Sequence, residues 1–251
     1  MIEDTFQQYI RKIILKRDNV ESFDIYPFSL NSVRCLDNIE LHPNVTFLIG
    51  ENGSGKSTLL EAIAVAYGFN PEGGTKNFNF STAQTHSNLY EYIKLVKGAI
   101  KPKDGFFLRS ESFYNVASNI QELDQSGMGP RIIDSYGGIS LHNQSHGESF
   151  MAVLLNRLGG NGVYIFDEPE AALSPTRQMA LISRIHELVN KDSQFIIATH
   201  SPIIMSYPNS KIYSFDDGFK QVEYEDTEHY QVTKRFMNNT SKMLDILLDN
   251  E

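Results

Sequence analysis

The stretch GENGSGKST, residues 50–58, decides the fold of this chain because it is a glycine-rich loop between two different secondary-structure patterns. The apolar run VTFLI (45–49) before it is typical of a buried parallel strand, and LLEAIAVAY (59–67) after it predicts a helix. A strand, a glycine loop and a helix start together present free backbone N–H groups and the positive end of a helix dipole. We therefore predict that this loop binds phosphate groups, with Lys56 adding a full positive charge.

The loop fits the pattern G-x-x-x-x-G-K-[ST] from Gly50 to Ser57, and this pattern assigns roles to its residues. The glycines let the backbone approach a phosphate closely and adopt positive φ angles. Ser57 is predicted to bring its hydroxyl to a Mg²⁺ ion, as the serine or threonine of such loops does. The predicted nucleotide-binding residues of the loop are Asn52, Gly53, Ser54, Gly55, Lys56, Ser57 and Thr58.

The size and composition of the chain favour one large α/β domain, although 251 residues would also allow two small ones. Hydrophobic residues make up 41% of the chain, which is enough for a substantial core. The net charge of −9 argues against a broadly basic surface that binds nucleic acid by charge alone. This net charge does not exclude a local basic groove that binds nucleic acid.

Three features predict a cytoplasmic protein that does not insert into a membrane. The single cysteine, Cys35, cannot form an intrachain disulfide. The N-terminal segment, residues 1–17, is acidic at its start and lacks the apolar centre of a signal peptide. No apolar run approaches the ~20 residues that a membrane-spanning helix needs.

The apolar runs predict alternating strands and helices. We expect a first helix that carries Arg11, Lys12, Lys16 and Arg17 on one face, followed by a β-rich segment in residues 20–49. Further along the chain, strand–helix–strand units imply a parallel sheet that is covered on both faces.

The second motif is VYIFDEPE (163–170), an apolar strand that ends in acidic residues. Asp167 is predicted to hold the Mg²⁺ ion, directly or through water, and Glu168 to polarise the attacking water. Isolated carboxylates after a strand are common and can simply be solvated. The phosphate-binding loop upstream favours the catalytic interpretation.

The third motif is QSHGESF (144–150), in which Ser145, Gly147 and Glu148 fit the pattern S-x-G-[QE] at a helix start. A serine hydroxyl and free N–H groups at a helix N-terminus can bind an anion. Such a segment is also a common helix cap. Its position, 22 residues before Asp167, favours the anion-binding role.

The fourth motif is ATHSP (198–202), which ends another apolar run. A histidine at a strand tip beside a γ-phosphate can form a hydrogen bond to it and sense its presence, and this role is predicted for His200. The alternative is a structural histidine that caps the turn before Pro202.

In this order, the four motifs resemble those of the ATP-binding-cassette (ABC) ATPases over most of the chain, from about Phe23 to Tyr213. GENGSGKST resembles the Walker A loop, SHGES the LSGGQ-type segment, and VYIFDEPE the Walker B motif with its catalytic glutamate. AALS (171–174) is similar to the D-loop, and ATHSP to the switch-histidine segment. Glu148 in place of glutamine, and EAI after the loop, resemble the SMC/RecF-like and overcoming-lysogenization-defect-like branch more than transporter subunits.

The resemblance implies an α/β fold of the ABC ATPase type. This fold is a mainly parallel sheet flanked by helices, with an N-terminal antiparallel β region and a small helical lobe. A single domain over residues 1–251 is expected, with a helical or lid lobe of about residues 84–146 inserted between the Walker A and Walker B halves. Within it, the glycine-containing segment 124–145 is expected to be a mobile connector.

The resemblance also implies Mg²⁺-dependent binding and hydrolysis of ATP. Two copies would form a head-to-tail homodimer that encloses two ATP molecules, and each copy would complete the γ-phosphate site of the other. The implied site residues are Glu168 and His200 for catalysis, Ser57 and Asp167 for Mg²⁺, and Ser145, Gly147 and Glu148 for the ATP of the partner copy.

Closure of the dimer would switch a separate effector protein, in DNA maintenance or anti-phage defence, with nucleic acid as an open alternative. Two other functions stay open: an ATP-gated adaptor with little turnover, and the nucleotide-binding subunit of a transporter. A simple kinase or GTPase would leave the SHGES segment unexplained.

Some residues depart from the family pattern. His146 replaces a glycine of LSGGQ, and Ser174 stands where the D-loop usually has aspartate. The family pattern does not settle which residue takes the Q-loop position: the candidates are Gln84, Gln121 and Glu111, with Glu111 favoured. It also does not settle which aromatic ring stacks on adenine, for which Tyr26 and Phe28 are the candidates.

Overall fold

The computed structural model describes residues 8–76, 87–127, 129–216 and 218–248, which form two β-sheets and flanking helices. The strands are β1 (Ile10–Leu15), β2 (Asn38–Glu40), β3 (Val45–Ile49), β4 (Ile93–Lys97), β5 (Asp104–Arg109), β6 (Gly162–Asp167), β7 (Gln194–Ala198), β8 (Ser210–Ser214) and β9 (Lys220–Val222). The α-helices are α1 (Asn31–Arg34), α2 (Lys56–Tyr67), α3 (Leu89–Tyr92), α4 (Phe113–Ser126), α5 (His146–Ala152), α6 (Pro175–Val189), α7 (Pro202–Met205), α8 (Glu228–Asn238) and α9 (Thr240–Leu247). None of the helices in these ranges is both long and apolar enough to cross a lipid bilayer.

The larger sheet has the strand order β5-β6-β7-β3-β8-β9 and is parallel except for its last pair, β8 with β9. Every residue of β3, β6 and β7 is buried, which explains why their sequences are nearly continuous apolar runs. On β3, Val45 and Phe47 share a hydrophobic cluster with Leu181 of α6, whereas Leu48 shares one with Leu59 of α2. Helices therefore cover both faces of the sheet, as predicted.

The strand order brings three of the motifs to one edge of this sheet. Strands β6, β7 and β3 are neighbours and run parallel, so their carboxyl ends lie together. Asp167 at the end of β6 lies opposite Ala198 at the end of β7. The loop 50–58 and the segments that follow Asp167 and Ala198 therefore begin side by side.

The smaller sheet is antiparallel, with the order β2-β1-β4, and is the N-terminal β region that the resemblance implied. The predicted first helix is wrong, because Ile10–Leu15 is the central strand of this sheet. The spacing of Ile10 and Ile13, both buried, is compatible with one face of a helix as well as with a strand. Pairing of Ile13 with Ile39 and Leu95 selects the strand, and the basic residues expected on a helix lie on β1 and the turn after it.

The segment 20–49, which was expected to be β-rich, also contains the short helix α1, Asn31–Arg34, with Cys35 as its C-cap. The N–H group of Ser32 donates to the carbonyl oxygen of Ser54 at 3.0 Å, and the amide of Asn31 donates to the carbonyl oxygen of Phe215. These long-range bonds hold one helical turn against the glycine loop. A prediction from local propensity does not include such bonds.

The expected connector, residues 124–145, contains two 3-10 turns, Ile132–Tyr136 and Leu141–Asn143. The carboxylate of Asp124 anchors the first turn by accepting hydrogen bonds from the N–H groups of Ile132 (2.5 Å) and Ile133 (3.0 Å). The lobe of about residues 84–146 stays a prediction, and its start lies outside the described residues.

Candidate functional site

The glycine loop leads into α2 through a left-handed glycine. Gly55, at φ +93°, is the residue before the helix, and the first intrahelical bond runs from the N–H of Leu59 to the carbonyl oxygen of Gly55 at 2.9 Å. The N–H groups of residues 55–58 precede that bond and have no partner in the helix. A Cβ on Gly55 would collide with the hydroxyl of Ser32 and lie 3.0 Å from the Cβ of Leu30, so only glycine fits. The loop is therefore shaped to bind an anion.

Lys56 is held inside this loop. Its side chain is 4% exposed, and its Nζ donates to the carbonyl oxygens of Gly50 (2.7 Å) and Glu51 (2.8 Å). Burial lowers the pKa of Lys56, and the nearby carboxylates, Glu168 first among them, act in the opposite direction. The lysine is thus a buried cation beside free helix N–H groups, which is the donor set that a phosphate group requires. The buried hydroxyl of Ser54 in the same loop lacks a hydrogen-bond partner among the described residues.

Asp167 faces Ser57 across the site. The hydroxyl of Ser57 donates to Oδ1 of Asp167 at 3.0 Å, and Nε of Arg109 lies 3.8 Å from Oδ2. Burial raises the pKa of Asp167 to about 7, although Arg109 and Ser57 act against this rise. Arg109 also pairs with Glu61 and Glu111, so it only partly balances the charge of Asp167. A buried carboxylate of this kind, next to a hydroxyl, suits a hard cation.

The described residues contain no group of three or more histidine, cysteine, aspartate or glutamate side chains that could hold a metal ion. Magnesium usually binds to one or two protein ligands together with water and substrate phosphates, so Ser57 and Asp167 suffice for it. The residues present therefore fit a Mg²⁺–nucleotide better than a metal held by protein ligands alone.

Glu168 has an unusual backbone for a residue with a side chain, at φ +48° and ψ +56°. Its N–H donates to the carbonyl oxygen of Ala198 (3.0 Å), and its own carbonyl oxygen accepts from the hydroxyl of Ser110 (2.8 Å). Left-handed backbone in a non-glycine residue costs about 1–3 kcal/mol and tends to occur at functional sites. These bonds, to Ala198 on β7 and from Ser110 just after β5, hold the backbone of Glu168 in place, and its side chain is 39% exposed.

His200 meets Glu168 at the same edge of the sheet. Its Nε2 lies 3.6 Å from Oε1 of Glu168, and its Nδ1 lies 2.9 Å from Nε2 of His229 on α8. The carboxylate of Glu170 accepts from the N–H of His200 (2.5 Å) and from the hydroxyl of Thr199 (2.8 Å). Burial, then Lys56 and His229, lower the pKa of His200 to about 4, so its ring is neutral at pH 7.

Ser145 begins α5 and is exposed. Its Oγ donates to Oε2 of Glu148 (2.6 Å) and accepts from the Glu148 N–H (3.4 Å), while its own N–H donates to the same carboxylate (2.9 Å). This is a capping box, and its bonds from Ser145 lower the pKa of Glu148. A Cβ on Gly147 would collide with Arg177 and lie 2.7 Å from the carbonyl oxygen of Ala172.

The structure therefore brings together one part of the predicted site and leaves another part separate. Residues 52–58, Asp167, Glu168 and His200 share one edge of the larger sheet. In the described ranges, no hydrogen bond or ion pair joins Ser145, Gly147 or Glu148 to the glycine loop. The helix cap predicted as the alternative for Ser145 is present, and its surface position leaves the hydroxyl accessible.

The two departures from the family pattern also have structural partners. Ser174 caps α6, because its Oγ accepts from the N–H of Arg177 at 3.4 Å. His146 makes an edge-on contact with the ring of Phe113, with 5.9 Å between the ring centroids.

The structure narrows the choice of residues for the adenine-stacking ring and locates the candidates for the Q-loop position. Phe28 is 5% exposed and makes an edge-on contact with Tyr92, so it is a core residue and not an adenine-stacking ring, whereas Tyr26 is 63% exposed. The side chain of Glu111 is exposed and lies 3.4 Å from Arg109. Gln121 is on α4, and Gln84 lies outside the described residues.

Three residues of the site are not among those that the sequence predicts. Arg109 ends β5, and the adjacency of β5 to β6 could have located it beside Asp167. Glu170 belongs to the VYIFDEPE motif, but the motif predicts no role for it. His229 follows His200 by 29 residues, and no local pattern points to it.

A phosphate-binding loop and a buried carboxylate at one edge of a parallel sheet define the class of this protein, which is that of the P-loop ATPases. The chain belongs to the AAA domain family AAA_23, whose model matches residues 18–157, more than half of the chain. The predicted P-loop ATPase with an α/β fold of the ABC type is confirmed, whereas its place in the SMC/RecF-like branch stays a prediction. The protein is an ATP-hydrolysing enzyme, and its family implies ATP binding, generally with Mg²⁺.

Similar proteins include the cell division ATP-binding protein FtsE of Bacillus subtilis, which is 21% identical over 217 residues, 79% of this chain and 93% of FtsE. The energy-coupling factor transporter ATP-binding protein EcfA1 of Fusobacterium nucleatum is 26% identical over 165 residues, 61% of this chain. The aligned part spans 62% of EcfA1, less than two thirds of its length. The structure of cbiO1 from Clostridium perfringens, part of an ABC transporter complex, shares the fold, with a TM-score of 0.52 and 17% identity over 96% of this chain and 99% of that one.

Proposed function

We propose that this ATPase closes into a head-to-tail homodimer around two ATP molecules and reopens after hydrolysis, and that this cycle switches a separate effector protein. ATP turnover follows from the family, whereas the dimer and the effector are the proposal. A switch of this kind needs a site that is complete only when two copies meet.

Within one copy, the proposed roles follow from the donors and acceptors of the site. The free N–H groups of residues 55–58 and the ammonium of Lys56 would hold the β- and γ-phosphates. Ser57 and Asp167 would hold a Mg²⁺ ion, which neutralises phosphate charge when it is bound. Glu168 would accept the proton of the attacking water, because it is the partly exposed carboxylate with a fixed backbone beside this edge.

His200 would donate a hydrogen bond from Nε2 to the γ-phosphate. Its neutral ring lies 3.6 Å from the carboxylate of Glu168, so one residue would orient water while the other detects phosphate. Loss of the γ-phosphate after hydrolysis would remove the partner of His200, which would weaken the closed dimer.

The position of Ser145 is the observation that carries the proposal. Its hydrogen bonds stay within its own helix turn, and the turn is exposed. Gly147 packs against the carbonyl oxygen of Ala172, which fixes the helix tip beside the turn that follows β6. A preformed, solvent-facing helix N-terminus with a serine hydroxyl suits the γ-phosphate of a second copy.

Size-exclusion chromatography of Glu168→Gln tests the dimer. With saturating ATP and Mg²⁺ the variant is expected to elute as a dimer at micromolar concentration, because ATP binds but is not hydrolysed. The double variants Glu168→Gln/Lys56→Met, which lacks the phosphate-binding cation, and Glu168→Gln/Ser145→Ala are expected to stay monomeric. A monomeric Glu168→Gln with bound ATP would contradict the proposal.

The effector is proposed to act in DNA maintenance or anti-phage defence, in a cytoplasmic setting, by analogy with the resembled branch. The name of EcfA1, a transporter ATP-binding protein, instead favours the alternative of the nucleotide-binding subunit of a transporter. Affinity purification of tagged Glu168→Gln with and without ATP distinguishes them. ATP-dependent recovery of an integral membrane protein would favour the alternative, and recovery of a non-membrane protein or nucleic acid would favour the proposal.

A further inference from the structure

A second histidine reaches the catalytic edge from a distant element. His229 is in the first turn of α8, and its Nε2 lies 2.9 Å from Nδ1 of His200. The start of α8 is fixed: Thr227 is 2% exposed, its Oγ1 donates to the carbonyl oxygen of Tyr224 (2.7 Å), and the Tyr224 hydroxyl donates to the carbonyl oxygen of Pro202 (2.8 Å). These bonds tie α8 to the segment that carries His200, so the contact between the two rings is built into the fold.

A hydrogen bond between two neutral imidazoles needs one N–H donor and one lone pair. Burial lowers the pKa of both histidines, so both rings are neutral at pH 7. If His229 donates, His200 accepts at Nδ1 and carries its proton on Nε2. If His200 donates, its Nε2 has no proton and can only accept.

The other side of the His200 ring decides between these arrangements. Its Nε2 is buried, has no hydrogen-bond partner among the described residues, and lies 3.6 Å from Oε1 of Glu168. An ionised carboxylate only accepts hydrogen bonds, so a lone pair directed at it is unfavourable and an N–H is favourable. The γ-phosphate is likewise an acceptor. Both partners therefore favour the proton on Nε2, which leaves Nδ1 as the acceptor for His229. Glu168 makes no hydrogen bond to Nε2 at this distance, so it does not fix the tautomer by itself.

We propose that His229 is a positioning residue that donates from Nε2 to Nδ1 of His200 and thereby holds the His200 proton on Nε2, directed at Glu168 and the γ-phosphate. The proposal rests on the proposed role of His200. It gives α8 a part in hydrolysis, because displacement of His229 would free His200 to adopt the other tautomer, which cannot donate to phosphate.

The test compares His229→Gln, whose side-chain amide can replace the Nε2 donor, with His229→Leu, which has no donor. Ring ¹⁵N NMR of the full-length, nucleotide-free protein reports the tautomer of His200, whose signals are assigned from their loss in His200→Gln. We expect the Nε2–H form in the wild type and in His229→Gln, and a mixture of tautomers in His229→Leu.

Steady-state ATP hydrolysis provides the second readout. Loss of a hydrogen bond to a charged group predicts a fall in kcat of about 10- to 150-fold in His229→Leu, with KM within about twofold, and recovery of most of the loss in His229→Gln. His186→Gln is the matched control, because His186 bonds the hydroxyl of Tyr207 (3.2 Å) and none of the site residues, and it should leave both readouts unchanged.

The two readouts separate the inference from the function on which it rests. A wild-type His200 with its proton on Nδ1, or the same single tautomer in wild type and His229→Leu, would overturn the role of His229. A His200→Gln variant with wild-type kcat would instead refute the role of His200 in hydrolysis. The NMR result would still decide whether His229 holds the His200 proton on Nε2.

Discussion

Asp167→Asn should make the nucleotide-free protein more stable while it removes activity. The Asp167 side chain is 5% exposed, and burial raises its pKa from the ordinary value of 3.8 to about 7. Folding therefore opposes ionisation of this carboxyl. Asparagine has nearly the same shape, can still accept the hydrogen bond from Ser57, and carries no charge to bury.

The size and the pH dependence of the effect follow from linkage. Below about pH 4, Asp167 is protonated in the folded and the unfolded chain and costs no stability; the cost grows as the pH rises and levels off above about pH 7. One pKa unit is worth about 1.4 kcal/mol, so the full cost is about 4 kcal/mol. The stability gained by the variant over the wild type should increase by about 2–3 kcal/mol from about pH 5 to about pH 8.

Urea unfolding in EDTA without nucleotide, at about pH 5 and about pH 8, measures this increase. Glu168→Gln is the matched control, because it neutralises the adjacent carboxylate, which is 39% exposed. The unfolding free energy of Glu168→Gln relative to the wild type should differ by less than about 1 kcal/mol between the same two pH values. An Asp167→Asn gain that does not grow with pH, or an equal growth in the control, would refute the idea that burial of Asp167 opposes folding.

Three further variants test other parts of the site. Ser145→Asn keeps a helix cap, so unfolding free energy in urea should change by less than about 0.5 kcal/mol, while ATP hydrolysis falls about tenfold because the hydroxyl is lost. Gly147→Ala should lower the unfolding free energy in urea by about 1–3 kcal/mol, because its Cβ would collide with Arg177 and the carbonyl oxygen of Ala172. Adding Arg177→Ala should restore only part of this stability, because the Ala172 carbonyl still blocks the Cβ. Tyr26→Ala should raise KM for ATP about 5- to 150-fold at unchanged kcat if the exposed ring stacks on adenine.

The large sheet and much of the candidate site could be predicted from sequence because their signals are local. The loop 50–58, Asp167 and His200 each follow a short apolar run, and runs of this kind form parallel strands whose carboxyl ends meet. No knowledge of distant contacts was needed, because the fold class itself brings such strand ends together.

The elements that could not be predicted depend on partners far along the chain. Ile10 and Ile13 lie in a strand only because β2 and β4 supply pairing on both sides. Phe28, an aromatic ring upstream of the loop, is buried through its contact with Tyr92. His229 matters only because α8 returns to His200. In each case a tertiary contact determines the structure or role of the residue, so the sequence pattern of its own segment cannot predict it.

The charges of Lys56 and Asp167 at this edge of the sheet also indicate which kind of ligand the site binds. Burial lowers the pKa of Lys56 and raises the pKa of Asp167, so burying the charged form of either side chain costs the folded protein free energy. An anion beside Lys56 would favour its charged form, and a cation beside Asp167 would favour ionisation. Neither an anion nor a cation alone can relieve both costs. A triphosphate with its Mg²⁺ would supply both charges, so we expect its binding to stabilise the folded protein.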